Sequence, residues 1–153
     1  MDLAGFGMAR ITELAPVRRS IEVLAQADGP RLLGLTNWVG RAIELHASAA
    51  GKLVLAQFSE AALDAWIRRE RPRRLTDRTI VGRAALHAEI DRVRDCGWAE
   101  LDGESEIGLS SVSVAARQPD EALAAIIGYS GPTERLDCAA LLDPLLRAAD
   151  RLR

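Results

Sequence analysis

Between Gly82 and Cys96 the apolar residues Leu86, Ile90 and Val93 recur at helical spacing, while His87, Glu89, Arg92 and Arg94 fall on other faces. That period predicts an amphipathic helix, with Gly97 placed as its terminator. Leu141, Leu142, Leu145, Leu146, Ala149 and Leu152 repeat at three and four residues and predict another amphipathic helix at the end of the chain. A different period governs Val112, Val114 and Ala116, which alternate with Ser111, Ser113 and Ala115 as in a strand with one apolar face. Residues 123–129 repeat that strand composition after the turn Gln118-Pro119-Asp120-Glu121, so a hairpin is expected.

Two short apolar runs, 8–14 and 20–27, flank Ala15-Pro16-Val17-Arg18-Arg19 and read as another hairpin. Asp28-Gly29-Pro30 then breaks the chain ahead of a third strand over residues 32–38. From 48 to 58 the apolar residues are too dense for a half-exposed strand and predict a helix. Ser59-Glu60 supplies a cap and an acidic first turn for a following helix through residues 66–69. Strands, then helices, then strands and a terminal helix describe an α+β fold, one antiparallel sheet with helices covering a face. At 153 residues the chain suits a single domain over 1–153, since a chain of this length buries about 70% of its unfolded surface.

A formal net charge of -2 argues against a protein that holds a phosphate backbone by its overall field. The basic cluster Arg68-Arg69-Glu70-Arg71-Pro72-Arg73-Arg74 surrounds a proline after a helix, where a solvated loop is the ordinary reading. Cys96 and Cys138 follow no disulfide or zinc spacing, so buried thiols and no metal are expected. No apolar run reaches the length of a membrane span and no charged-then-apolar leader begins the chain. A cytoplasmic protein without a cofactor is the expectation.

The candidate chemistry lies in residues 40–56, where a strand-like entry leads into a helix whose first turn is nearly free of bulk. Small residues at Ala47, Ser48, Ala49 and Ala50 leave the unpaired N–H groups of that turn open to an anion, which the helix dipole also favours. Close packing of the helix start against the sheet is the structural alternative. A phosphate-binding loop would need Gly at His46 and Ser or Thr at Leu53. Gly128-Tyr129-Ser130-Gly131 lacks the spacing of a serine-hydrolase elbow, and His46, Ser48 and Asp102 make at best a distant suggestion of a triad. His46 reads as a helix-entry side chain that hydrogen-bonds the backbone.

Leu45-His46-Ala47-Ser48-Ala49-Ala50-Gly51-Lys52, Thr76-Asp77-Arg78-Thr79-Ile80, Gly97-Trp98-Ala99, Asp102-Gly103-Glu104, Gly108 and Ser130-Gly131-Pro132 occur in an order and spacing that resemble the effector-binding domain of IclR-type bacterial transcription regulators. The resemblance implies a GAF- or profilin-like domain, a curved antiparallel sheet of about six strands with flanking helices. It implies a small organic acid effector held by the N–H groups of Ala49 and Ala50 beside Ser48, with side chains on facing strands completing the site. The four matched side-chain positions here are Leu101, Ser111, Gly128 and Ser130, of which only Ser130 keeps the family's residue. Leu101 removes a charged acceptor, Ser111 replaces a thiol and Gly128 removes a hydroxyl. More open apolar volume and a larger or partly aromatic acid are therefore expected, with Trp98 and Trp38 as candidate walls. The resemblance also implies a homodimer or homotetramer that is not an enzyme and meets DNA only through an N-terminal winged helix-turn-helix absent from this chain. A hydrolase-like enzyme using the same cavity and a ligand-free interaction module remain the alternatives.

Overall fold

The computed structural model describes residues 6–15, 18–27 and 43–152, and within the first two segments the side chain of Ile21 alone. Strands β1 (Phe6–Ala15) and β2 (Arg18–Ala27) pair antiparallel, with Ala15 opposite Arg18. The expected strand pair is present, and Ala15, Arg18 and Arg19, read from the sequence as turn, belong to its strands. The strand expected over residues 32–38, Trp38 with it, lies outside the described residues.

Helix α1 (Ala49–Leu55) follows a single 3-10 turn at Leu45–Ala47, and the Ser48 hydroxyl caps it by accepting from the Gly51 N–H at 3.0 Å. Helix α2 (Glu60–Glu70) is capped in the same way by Ser59, which accepts from Ala62 at 3.2 Å. Helix α3 (Arg83–Cys96) ends where Gly97 takes φ 79° and returns its N–H to the Val93 carbonyl, a conformation that glycine adopts without the Cβ clash. Strands β3 (Trp98–Asp102), β4 (Leu109–Arg117) and β5 (Leu123–Pro132) follow, and α4 (Cys138–Asp150) closes the domain with Asp137 as its cap. The terminal helix thus ends before Leu152, which is exposed.

The strands form one antiparallel sheet in the order β2-β1-β5-β4-β3. Five strands, rather than about six, are found among the described residues. Both faces of the sheet carry helices. Ala99, Leu101 and Ile126 pack with Leu53 and Ala49 of α1, Leu63 and Trp66 of α2, and Ile90 and Val93 of α3. Val112, Val114, Ile127 and Tyr129 pack on the other face against Leu145 and Ala149 of α4. Burying each of these aliphatic side chains contributes about 1.5–3 kcal/mol.

This two-sided covering corrects the expectation of a strand with one buried face. Ser111 and Ser113 alternate with the valines of β4 as foreseen, but they are only 6% and 4% exposed because their face is the one under α1. Strand β3 ends at Asp102, Gly103 turns the chain at φ 65°, and the carboxylates of Asp102 and Glu104 part.

Candidate functional site

On the α1-facing side, cross-strand register puts Leu101 opposite Ser111 and Ser111 opposite Ser130. The adjacent row runs Ala99, Ser113, Gly128 and Gly7 from β3 to β1. A Cβ at Gly128 would overlap the Ser113 hydroxyl and stand 3.3 Å from the Val112 carbonyl oxygen. The missing side chain therefore does not open volume at that point, contrary to the expectation from sequence, because Ser113 leans into it. Small residues nonetheless occupy this row across four strands. Among the described residues none hydrogen-bonds to the hydroxyls of Ser111, Ser113 or Ser130, whereas Ser110, on the opposite face, meets Asp102 and Thr133.

The start of α1 belongs to the same apolar cluster as Leu101 and Ile126, with Ala49 buried and Ala50 half-buried. No described residue accepts from the Ala49 or Ala50 N–H, as a first helical turn allows. Gly51 has a separate reason for its identity. A Cβ there would overlap the Leu45 backbone, so the 3-10 turn can fold onto α1 only without a side chain. Trp98 is not brought to this side. It stands opposite Val114, packs with the α4 cluster, and carries the Arg92 guanidinium 5.1 Å from its ring centroid.

The matched motifs converge instead on Lys52. Its side chain is 1% exposed, and Nζ donates to Glu104 Oε1 at 2.7 Å, Glu89 Oε1 at 3.0 Å and the Glu100 carbonyl at 2.8 Å. The Thr79 hydroxyl donates to the Glu104 carbonyl at 2.6 Å, the Thr76 hydroxyl donates to that of Gly103 at 2.7 Å, and Arg78 pairs with Asp102. Two carboxylates share one ammonium, and Glu104 Oε2 is buried without a partner among the described residues. Burial pushes the Glu104 carboxyl above its ordinary value against the pull of Lys52. Burial acts on Glu89 too, but the Arg92 hydrogen bond and the Lys52 charge outweigh it and hold that carboxyl low.

This cluster also blunts an edge. Gly103 donates to the Leu109 carbonyl, so the Glu100 and Trp98 carbonyls of β3 point away from β4. Lys52 Nζ covers the first and Cys96 Sγ, 3.1 Å away, covers the second. Sequence reading missed the cluster. Its one signal is a lysine amid the apolar run Leu53, Val54 and Leu55.

His46 is buried, and Nε2 donates to the Arg73 carbonyl at 2.9 Å. Ser48 is engaged as a cap and Asp102 with Arg78 and Ser110, so His46, Ser48 and Asp102 are not assembled. His87 meets Asp64 through Nε2 and Glu60 through Nδ1. Arg83 makes a two-pronged pair with Asp64 at 2.7 Å, and hydrogen bonds from Arg83 and then His87 hold that carboxyl well below the usual range. Of the cysteines, Cys138 is half-buried while Cys96 is exposed rather than buried, because it ends α3. Among the described residues no helix is long and apolar enough to cross a membrane.

Residues 16–152 match the model of the bacterial transcriptional regulator IclR C-terminal family. The HTH-type transcriptional regulator XynR of Escherichia coli is 31% identical over 103 residues, 67% of this chain and 41% of that protein. The p-hydroxybenzoate hydroxylase transcriptional activator of Acinetobacter baylyi is 29% identical over 145 residues, 92% of this chain and 53% of that protein. The chain thus spans about half the length of these curated relatives. A double mutant of the inducer-binding domain of the Acinetobacter transcription factor PobR, solved with 3-hydroxybenzoic acid, shares the fold with a TM-score of 0.82 at 23% identity, over 98% of this chain and 87% of that one. With the motifs and the family model in agreement, the chain belongs to the IclR C-terminal family, the effector-binding domain of bacterial transcription regulators.

Proposed function

We propose that this domain senses a small aromatic carboxylic acid bound between the first turn of α1 and the facing rows of the sheet. The observation that carries the proposal is the register Leu101–Ser111–Ser130 on the same face as Ala49 and Ala50. In this reading the N–H groups of Ala49 and Ala50 receive the carboxylate, as a helix start favours an anion. Ser48, already a cap, shapes the turn. The hydroxyls of Ser111 and Ser130 supply the other polar contacts, and Leu101 forms an apolar wall where a charged acceptor would reject a ring. Trp98 has no part in it.

Occupancy would shift the balance between assembly states, dimer or tetramer, that present DNA-binding modules differently. DNA contact would come through a winged helix-turn-helix outside these residues, in the cytoplasm, with no enzymatic step. A thermal-shift screen of benzoate, p-hydroxybenzoate, m-hydroxybenzoate, pyruvate and glyoxylate tests the reading. An acid at a hundred times its Kd should add about 2.7 kcal/mol of stability. Tight pyruvate or glyoxylate binding with no response to the aromatic acids would overturn the proposed class.

A further inference from the structure

Ser113 and Gly128 stand directly opposite each other on β4 and β5, and the space that a side chain at 128 would fill is taken by the Ser113 hydroxyl. We infer that Ser113 is a specificity-determining residue of the effector site, its hydroxyl replacing from β4 the polar group that β5 does not supply. The inference rests on the acid-binding reading of that site.

Three observations support it. Ser113 is 4% exposed and no described residue hydrogen-bonds to its hydroxyl, which leaves that donor and acceptor available to a ligand lying on this face. The residues around it in its row are Ala99, Gly128 and Gly7, so no side chain in that row competes for the same hydroxyl. Ser111 and Ser130, in the next row of the same face, add two further hydroxyls without a described partner. A ligand lying across these rows meets three hydroxyls spread over two strands. That spread suits an aromatic acid with a ring hydroxyl, whose carboxylate and phenol stand at opposite ends of a rigid plane. It suits a short keto acid poorly, since the polar atoms of a keto acid are contiguous.

The test exchanges the hydroxyl between the strands. Affinities for p-hydroxybenzoate, m-hydroxybenzoate and benzoate are measured by calorimetry on the unaltered chain, on Ser113→Ala, and on the double variant Ser113→Ala with Gly128→Ser. Ser113→Ala should weaken a hydroxybenzoate about fivefold, the loss of one neutral hydrogen bond, with benzoate little changed. The double variant should recover that affinity, because removing the Ser113 hydroxyl clears the space for a side chain at 128. Unchanged hydroxybenzoate affinity in Ser113→Ala, equal weakening of benzoate, or no recovery in the double variant overturns the role of Ser113 and leaves acid binding standing. If the unaltered chain binds none of the three acids, the aromatic-acid reading falls and this inference with it.

Discussion

Lys52 Nζ and Glu104 Oε1 lie 2.7 Å apart, although 52 positions separate them in the chain. The pair ties the helix that begins the candidate site to the turn between β3 and β4. Replacing Lys52 by Met removes the ammonium that Glu89 and Glu104 share and leaves two carboxylates in a buried place, which should destabilise the domain by about 3–5 kcal/mol. Urea denaturation at neutral pH checks it. A Lys52→Met variant as stable as the parent would mean that the cluster is solvated and contributes little.

The same geometry sets a pH dependence. Burial raises the Glu104 carboxyl above its ordinary 4.5, so the folded state holds this proton more tightly than the unfolded state. Its contribution to stability is complete below 4.5 and is lost as pH rises through the raised value. Glu104→Gln cannot ionise and should match the parent near pH 4 yet exceed it in stability near neutrality. Parallel melting curves from pH 4 to pH 7 for the two proteins would contradict this.

Gly51 permits the turn at Leu45–Ala47 to sit on α1, and any Cβ there meets the Leu45 backbone. Gly51→Ala should therefore destabilise by about 1–3 kcal/mol, the usual range for overpacking, even though alanine is the better helix former. A chemical-denaturation midpoint equal to the parent's would show that the turn yields at no cost.

Trp98 and Ser111 lie on opposite faces of the sheet. Trp98→Ala should lower the melting temperature through lost packing and lost contact with Arg92, while hydroxybenzoate affinity stays within about twofold, under half a kcal/mol. Ser111→Ala should do the reverse, with little change in melting and an affinity loss of about fivefold. A tenfold affinity loss in Trp98→Ala would move the ligand to the α4 side.

Much of the fold was legible because strong periods decide it. Leu86, Ile90 and Val93 place α3, Gly97 ends it, and alternation with the valines places β4. What escaped has physical causes. Strand β3 is five residues long and exposes Asp102, so it carries no clear alternation of its own. Serine reads as a surface residue, yet strand parity puts Ser111 and Ser113 under a helix. Lys52 beside an apolar run hints at burial but not at its partners, which stand 37, 48 and 52 positions away. The small-residue start of α1 was visible at once, whereas the side of the sheet that Trp98 occupies needed the register of β3 against β4.

The most direct measurement follows the backbone amide resonances of Ala49 and Ala50 by NMR while m-hydroxybenzoate, p-hydroxybenzoate and benzoate are titrated into the labelled chain. Both amides should shift saturably with at least one acid, in step with Ser111 and Ser130 and with Trp98 unmoved. Saturable binding that leaves Ala49 and Ala50 in place, or no binding by any of the three acids, would contradict an effector site at the start of α1.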